Sequence, residues 1–206
     1  MDLALVVPVR SFDLGKSRLS ESLSPDQRER LARAMAEVVV DTRHEVRTFV
    51  VCDDERIADW AHERGATPIR VSAVGLNASL TEALPTVVRS GVSHVAVCHA
   101  DLPLATDLGS ILTSAIRNVP EDSVLLAPDR NRDGTNVAVV PRRHLSRWQF
   151  CYGPDSFTAH CDLTETIGVP LAIVTDDRLA TDVDTVDDLT LVRDFVATHL
   201  PEWTAP

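Results

Sequence analysis

The stretch LALVVPV, residues Leu3–Val9, is an uninterrupted apolar run close to the start of a chain of 206 residues. Alternating apolar and polar residues would indicate a strand with one face in water, whereas a continuous run is typical of a strand covered on both faces. Similar apolar runs predict five further strands, at Val46–Cys52, Val92–Cys98, Val124–Ala127, Asn136–Val140 and Leu171–Val174. The first run therefore predicts one strand of a buried, mostly parallel sheet.

Helical patterns lie between the predicted strands. The clearest is Pro25–Arg43, which has Ser24 in the N-cap position and a proline at its first position. Further helices are predicted at Glu55–Arg64, Asn77–Ser90, Thr106–Asn118, Ser156–Thr166 and Val186–Leu200. Pro85 leaves two alternatives for the helix that contains it, a kink or an earlier end. The alternation of strand and helix predicts a three-layer α/β/α fold with a central, mostly parallel sheet.

Length and composition predict a single domain. With 206 residues, of which 44% are hydrophobic, the chain can bury one large α/β core but is short for two. We expect one domain over residues 1–200 and a tail at residues 201–206. The basic and aromatic segment Pro141–Pro154 interrupts the alternation of strands and helices, and we interpret it as a loop or flap.

The charge of the chain excludes some classes of partner. Its 31 acidic and 20 basic residues give a net charge of −11, which argues against nucleic acid or an acidic membrane as the main partner. We expect neither a signal peptide nor a membrane span, because no apolar run approaches the roughly 18 residues that a membrane helix needs. The four cysteines form no CxxC pair, so we expect core thiols in a reducing, cytoplasmic compartment.

The loop after the first strand carries three cations. In open parallel sheets, ligands bind beyond the carboxyl ends of the strands, which is where this loop lies. It contains Arg10, Lys16 and Arg18, and Lys16 is the only lysine of the chain. The chain has neither a dinucleotide-binding GxGxxG motif nor a GxxxxGK[ST] phosphate loop. Because lysine is a compact charge suited to a phosphate oxygen, the loop predicts a phosphate contact; the alternative is an ordinary solvated loop.

Aspartates follow two other predicted elements. Asp101 comes just after the strand Val92–Cys98, where a carboxylate can hold Mg²⁺, and the alternative is an aspartate that only shapes the turn. Asp182 and Asp184 alternate on an extended segment, so they share one face and can converge on a metal ion. These three carboxylates are the candidate metal ligands.

Two polar segments offer groups to a substrate. Asn77 stands at the start of a predicted helix, where it can cap the helix or offer its amide to a base. Thr135 and Ser156, with backbone N–H groups near Gly153, would make a cradle for a phosphate or a carboxylate. For both segments, capping and turn chemistry alone are the simpler explanation.

Six motifs occur in order along the chain: VPVR with KSRL, then GLN, ADLP, DGTN, YGPDSF and DVDTVDDL. In this order, and over nearly the whole chain, they resemble the guanylyltransferases of deazaflavin-coenzyme (coenzyme F-420) biosynthesis. The resemblance implies a nucleotide-diphospho-sugar transferase fold, like that of A-type glycosyltransferases. It also implies an enzyme that joins GTP to a phosphorylated three-carbon acid, releases diphosphate and needs Mg²⁺.

The resemblance further implies roles for the residues singled out above. The carboxylates that hold the metal would be Asp101, Asp182 and Asp184. The pocket for the phosphorylated acid would contain Thr135, Gly153 and Ser156. The nucleotide would be bound by Arg10, Lys16, Arg18 and Asn77. The groups acting directly in catalysis would be Asp101, Lys16 and Arg18. The segment Arg142–Phe150 matches the family pattern least.

The identity of the acid is a separate question. The arginine-rich, lysine-poor composition is typical of GC-rich bacteria and favours phosphoenolpyruvate, with 2-phospho-L-lactate as the alternative. Outside this family, the alternatives are a glycosyltransferase that uses Asp182 and Asp184 as its DxD motif, and a nucleotide-binding regulatory domain. A homodimer is compatible with the sequence.

Overall fold

The computed structural model describes residues 2–13, 15–41 and 46–204 of the chain. Within these residues, seven strands form one sheet, and helices cover both of its faces. The strands are β1 (Leu3–Pro8), β2 (Arg47–Cys52), β3 (Thr67–Arg70), β4 (His94–Cys98), β5 (Val124–Pro128), β6 (Thr135–Pro141) and β7 (Leu171–Ile173). The predicted three-layer α/β/α fold is confirmed.

The sheet is mostly parallel, as the apolar runs predict. Its strand order is β3-β2-β1-β4-β6-β5-β7, and β6 runs antiparallel to its neighbours β4 and β5. The six predicted strands are present, with ends within two residues of those expected. The pattern does not predict β3, because its sequence TPIR is short and contains a proline and an arginine. Such a strand is tolerated at the edge of a sheet, which is where β3 lies.

Eight helices accompany the strands in the described part of the chain. They are α1 (Pro25–Val40), α2 (Glu55–Glu63), α3 (Leu76–Arg89), α4 (Leu108–Arg117), α5 (Ser156–Thr166), α6 (Asp177–Ala180), α7 (Val186–Leu191) and α8 (Arg193–His199). Ser24 caps α1 and forms a capping box with Gln27, as its position predicts. The expected end of this helix at Arg43 falls outside the described residues. None of the described helices is long and apolar enough to cross a bilayer.

One helix prediction and one of the alternatives for another helix are wrong. α3 continues through Pro85 to Arg89, so the alternative of a shorter helix is wrong. The single helix predicted for Val186–Leu200 is instead α7 and α8, because Val192 leaves the helical conformation with φ −116° and ψ 39°. The side chain of Val192 is buried, and the change of direction at this residue lets both short helices pack on the same apolar cluster.

The core consists of one apolar layer on each face of the sheet. α1, α2 and α4 pack on one face through side chains such as Val39, Trp60 and Leu112. α3 and α5 pack on the other face through side chains such as Leu80 and Phe157. A smaller cluster joins α7 and α8 to α1. Both faces are covered, which explains why the strands are apolar without alternation.

The segment Pro141–Pro154 belongs to the second of these layers. It starts with the 3₁₀ turn Arg142–His144, and the side chains of Leu145, Trp148 and Tyr152 are buried in the layer. Burial of a side chain of this size stabilises the fold by about 1.5–3 kcal/mol. The segment is therefore a loop, as expected, but one that is packed on the core, and its interpretation as a flap is wrong.

The antiparallel strand β6 brings distant parts of the chain to one edge of the sheet. Cys98 at the end of β4 pairs with Val137 near the start of β6. Beyond this pair, the N–H of His99 donates to the carbonyl of Asn136 at 3.0 Å. The carboxyl ends of β1 and β4 and the start of β6 therefore share one edge, where a ligand site is expected.

Candidate active site

Lys16 lies between two carboxylates at this edge. Its Nζ is 2.6 Å from Oδ2 of Asp101 and 2.9 Å from Oδ1 of Asp184. Lys16 precedes a 3₁₀ turn at Ser17–Leu19. Its backbone is left-handed, with φ 58°, a conformation that is uncommon for residues other than glycine. Arg18 is mostly exposed and approaches Asp184 at 3.6 Å. The structure thus joins four of the residues that the sequence singles out.

The charges in this cluster stabilise one another. Burial alone would lower the pKa of Lys16, but the carboxylates of Asp101 and Asp184 outweigh it and raise the pKa. Burial alone would raise the pKa of Asp101, but the ammonium of Lys16 holds it below its ordinary value. For Asp182, burial and the neighbouring charge of Asp101 both raise the pKa. Lys16 is therefore charged and Asp101 ionised, while Asp182 is the carboxylate that most needs a further cation.

Backbone and side-chain contacts fix the two acidic segments against each other. The N–H of Val183 donates to the carbonyl of Asp101 at 3.2 Å, which docks the extended segment beside the end of β4. The N–H of Asp184 donates to Oδ2 of Asp188 at 3.0 Å, and Asp188 also forms the capping box of α7 with Thr185. These hydrogen bonds fix the positions of the two segments that carry the aspartates.

The expected convergence of three aspartates on one metal position is not found. Across residues 2–13, 15–41 and 46–204, no three acidic, histidine or cysteine side chains are grouped closely enough to hold a metal ion. One reason is that the ammonium of Lys16 stands between Asp101 and Asp184. Another is that Oδ1 of Asp182 accepts from Nδ2 of Asn136 at 3.3 Å.

The donor set nevertheless fits a hard cation. Oδ1 of Asp101 is buried and has no hydrogen-bond partner within the described residues, an arrangement that costs free energy unless a cation or another donor reaches it. Carboxylate oxygens are the ligands that Mg²⁺ prefers. Asp101 and Asp184, with Asp182 beside them, are the residues that could hold it.

A cavity of about 430 Å³ adjoins the cluster. Lys16 and Asp101 form part of its lining, and other parts come from the β1 loop, α1, the ends of β2, β3 and β4, and the start of α3. Its apolar lining includes Val9, Phe12 and Val51. The volume lies in the range of small-ligand pockets, and the mixture of apolar walls with a few charged groups suits a nucleoside with phosphates.

Arg10 lies on the wall of this cavity, as its place after β1 predicts. Its Nε is 3.3 Å from Oδ2 of Asp53, and the side chain is 70% exposed. An exposed pair of this kind contributes little to stability, so the guanidinium can exchange its partner for a ligand anion at small cost.

Asn77 does not cap α3, and its amide contacts the backbone of another segment. The N-cap of α3 is Gly75, so the prediction that Asn77 caps the helix is wrong. Asn77 lies in the first turn instead, where its Nδ2 donates to the carbonyl of Tyr152 at 2.8 Å and its Oδ1 accepts from the N–H of Tyr152 at 2.9 Å. The amide thus ties α3 to the aromatic loop.

Thr135, Gly153 and Ser156 are brought together, but as a closed hydrogen-bonded group. Oγ of Ser156 accepts from the N–H of Thr135 at 3.0 Å, and the N–H of Ser156 donates to the carbonyl of Gly153 at 3.2 Å. The side chains of Thr135 and Ser156 are buried. The helix-cap alternative for Ser156 is wrong, because Asp155 occupies the N-cap of α5.

His160 completes this group, and the sequence gives no signal for it beyond its place on α5. Its Nε2 accepts from the N–H of Cys151 at 3.0 Å, which leaves Nδ1 to donate to Oγ1 of Thr135 at 3.0 Å. Its ring stacks on Trp148 with centroids 5.4 Å apart. Thr135 accepts this bond and so retains its own hydroxyl proton as a donor.

His99 is a second group that the motifs do not assign. It follows β4 and lines the cavity beside Asp101, and its ring lies 5.1 Å from that of Tyr152. Nε2 of His99 and the hydroxyl of Tyr152 are buried without a hydrogen-bond partner among the described residues. Its position directly after an apolar strand, at the carboxyl edge of the sheet, is the signal that identifies it.

Comparisons with known proteins agree with this geometry. A family model described as "Guanylyl transferase CofC like" matches residues 3–193. The chain is 31% identical over 205 residues to phosphoenolpyruvate guanylyltransferase of Sphaerobacter thermophilus, covering 98% of this chain and 95% of the relative. It is 32% identical over 189 residues to 2-phospho-L-lactate guanylyltransferase of Haloarcula marismortui, covering 91% and 83%.

A solved structure supports the fold. The protein, from Desulfovibrio desulfuricans and described as a nucleotide-diphospho-sugar transferase, matches with a TM-score of 0.75 at 15% identity, covering 93% of this chain and 87% of that one. The fold implied by the ordered motifs is therefore confirmed. The family resemblance is confirmed as well, since the family model spans most of the chain. This protein belongs to the family of CofC-like guanylyl transferases.

Proposed function

We propose that this protein transfers the guanylyl group of GTP to phosphoenolpyruvate, giving enolpyruvyl-diphospho-guanosine and diphosphate in deazaflavin-coenzyme biosynthesis. The observation that carries the proposal is the cluster of Lys16, Asp101 and Asp184 beside a cavity of nucleoside size, which Lys16 and Asp101 help to line. Membership of a guanylyl transferase family supports GTP as the nucleotide.

The reaction needs no protein base. A phosphate monoester is largely dianionic at pH 7, so one of its oxygens can attack the α-phosphorus of GTP directly. As that bond forms, the bond from the α-phosphorus to the bridging oxygen breaks, and diphosphate leaves with the electron pair. This chemistry fits a site whose reacting side chains are carboxylates and cations.

The main task of the protein is to bring two polyanions together although its own net charge is −11. Lys16 and Arg10 line the cavity and Arg18 approaches Asp184 of the adjoining cluster, and we assign these three cations to the triphosphate. Mg²⁺, when bound, supplies further positive charge and aligns the reacting phosphates. Asp101 and Asp184 would hold it, with Asp182 next to them. Positioning and charge neutralisation are the catalytic effects that this arrangement offers.

We assign the acid to the side of the cluster formed by β6. Asn136 at the start of β6 contacts Asp182, and its neighbour Thr135 keeps a hydroxyl proton to donate. With Gly153 and Ser156, Thr135 forms the frame of the proposed acid site. Because these groups are closed on one another, acid binding there exchanges internal hydrogen bonds for bonds to the substrate.

Phosphoenolpyruvate is proposed over 2-phospho-L-lactate on two grounds. Of eight similar relatives, six are named for phosphoenolpyruvate and two for 2-phospho-L-lactate, and the arginine-rich composition favours the same choice. A cytoplasmic location is part of the proposal, since the four cysteines are free thiols, which persist in reducing compartments.

The test is diphosphate release from GTP and Mg²⁺ with phosphoenolpyruvate, with 2-phospho-L-lactate, and with neither acid. We expect release with phosphoenolpyruvate together with a nucleotide product of the mass of enolpyruvyl-diphospho-guanosine. Release only with 2-phospho-L-lactate would change the acid and keep the reaction. Absence of release with both acids would contradict the proposal.

A further inference from the structure

The segment from Ser72 to Gly75 follows β3 and forms one wall of the cavity. Ala73 and Gly75 contribute to the lining, as does Val71 just before the segment. In the strand order β3-β2-β1-β4, the end of β3 is three positions from the end of β4, after which Asp101 lies. At about 4.8 Å per strand, this wall is on the order of 14 Å from the charged cluster.

This distance is comparable with that between the base and the terminal phosphate of a nucleoside triphosphate. The phosphates of a bound nucleotide belong next to Lys16 and Asp101, two charged residues of the cavity wall that follow β1 and β4. Apolar residues such as Val51 line the part between. The base therefore extends toward the wall that the segment from Ser72 to Gly75 provides.

Polar side chains of α3 hold this segment in place. One carboxylate oxygen of Glu82 accepts from the N–H of Ser72 at 3.0 Å, and the other accepts from the N–H of Ala73 at 2.8 Å. The hydroxyl of Ser79 donates to the carbonyl of Ala73 at 3.0 Å. Two consecutive backbone amides are thus clamped by one charged side chain, and hydrogen bonds to a charged acceptor are stronger than neutral ones.

Apolar packing contributes little to the conformation of the segment. The side chain of Val74 is 82% exposed. Gly75 has φ 95°, and a Cβ at that position would meet nothing within 4 Å among the described residues, so its role is conformational rather than one of packing. The shape of this wall consequently depends on Glu82 and Ser79.

We propose that Glu82 is a positioning residue for nucleobase selectivity, acting through the backbone of Ser72–Gly75. The inference rests on the proposed function, because it takes GTP as the ligand of the cavity. A purine edge is distinguished by hydrogen bonds, and these need donor–acceptor distances of about 2.7–3.2 Å and weaken steeply when the angle at the hydrogen is bent. While Glu82 holds the segment, its backbone N–H and C=O groups stay at such distances from the base. Without Glu82 the segment can shift, and different bases then bind with similar affinity.

The test compares Glu82→Ala, Glu82→Gln and Ser79→Ala with the unchanged protein, using GTP and ATP as alternative substrates. For Glu82→Ala we expect KM for GTP to rise about tenfold, the value of about one lost charged hydrogen bond. The ratio of kcat/KM for GTP over ATP should fall by a similar factor, with kcat and KM for the acid kept. Glu82→Gln should recover part of the loss, because its amide oxygen still accepts from the backbone. Glu63→Gln on α2 is the matched control, since it removes one exposed carboxylate outside the cavity lining.

Unchanged base selectivity in both Glu82→Ala and Ser79→Ala, in folded protein, would overturn the inference. A loss of kcat and acid affinity in step with melting temperature would do the same, because a merely structural role predicts that pattern. Calorimetric binding of GTP and ATP separates the inference from the proposed function. If the unchanged protein binds GTP in preference to ATP but shows no turnover, the proposed reaction is wrong, and the same variants are compared by their binding affinities for GTP and ATP. If it shows no preference, the inference is wrong.

Discussion

The ammonium of Lys16 lies 2.6 Å from Oδ2 of Asp101, although 85 residues separate the two in sequence. The contact joins the loop after β1 to the turn after β4, and Asp184 adds the second carboxylate from a third segment. A partly buried pair of this kind does not by itself add much stability, but removing one partner leaves the other uncompensated. The relationship therefore predicts that substitutions in the cluster affect both binding and stability.

Replacement of Lys16 by alanine should weaken GTP binding far more than acid binding. The loss of one charged contact to the triphosphate corresponds to about 1.5–3 kcal/mol, or roughly a ten- to hundredfold increase in KM for GTP. Arg18→Ala should have a smaller effect, because that side chain is 74% exposed and 3.6 Å from Asp184. Steady-state kinetics with each substrate varied in turn measures both. Equal losses for GTP and the acid would contradict the assignment of Lys16 to the triphosphate.

Asp101→Asn and Asp184→Asn should each abolish turnover while the fold persists. Each substitution removes a full negative charge from the group that would hold Mg²⁺, an effect of several kcal/mol at the transition state, or more than about a hundredfold in kcat. Asp182→Asn should act in the same direction. Asp187→Asn is the control, because that exposed side chain lies at the start of α7, near the site but outside the cluster. Turnover measured at saturating Mg²⁺ decides, and a near-normal rate for any of the three would remove it from the proposed ligands.

The sequence predicts the sheet well because each strand is indicated by its own consecutive residues. A continuous apolar run such as that of β1 indicates its own burial. The same reasoning places Lys16 and Asp101 at one edge of the sheet, since carboxyl ends of parallel strands meet there. It fails for β3, whose TPIR sequence has no apolar run and whose position depends on pairing with β2.

The details of the site depend on contacts between distant segments, which a pattern does not contain. Asn77 reads as a helix cap, but its amide is used by the backbone of Tyr152, 75 residues away. Ser156 reads as a cap or an anion ligand, whereas its hydroxyl accepts from Thr135 on β6. Glu82 has no motif at all, and only the structure reveals that it clamps the chain at Ser72. Tertiary hydrogen bonds override the local preferences of Asn77 and Ser156.

Ser156→Ala should lower stability and weaken acid binding together. The substitution leaves the N–H of Thr135 without its acceptor in a buried position, which costs about 1–3 kcal/mol. The proposed acid site loses part of its frame, so the affinity for the acid should fall about ten- to a hundredfold with GTP binding nearly unchanged. Melting temperature and calorimetric acid affinity measure the two effects separately. Acid affinity equal to that of the unchanged protein would show that Ser156 is not part of the acid site.

The stability of the protein should decrease as the pH falls from about 6.5 to about 4, and His160 should be a main cause. Burial, with a smaller contribution from the charge of His99, lowers the pKa of His160 to about 4, whereas the ordinary value is 6.5. The unfolded chain therefore binds a proton in this interval that the folded protein does not, so stability is lost on acidification. The full difference corresponds to about 3 kcal/mol of unfolding free energy below the lower pKa. Protonation is unfavourable because Nε2 already accepts from the N–H of Cys151 while Nδ1 donates to Thr135.

The variant His160→Asn isolates this contribution. Its unfolding free energy should be lower than that of the unchanged protein at pH 7.5, because the bonds to Cys151 and Thr135 are altered and stacking on Trp148 is lost. The difference between the two proteins should shrink toward pH 4, since the variant has no imidazole to protonate. Denaturant unfolding at several pH values measures the difference directly. A difference that stays constant from pH 7.5 to pH 4 would mean that His160 takes up its proton equally well in the folded and unfolded protein, which the two hydrogen bonds of its neutral ring forbid.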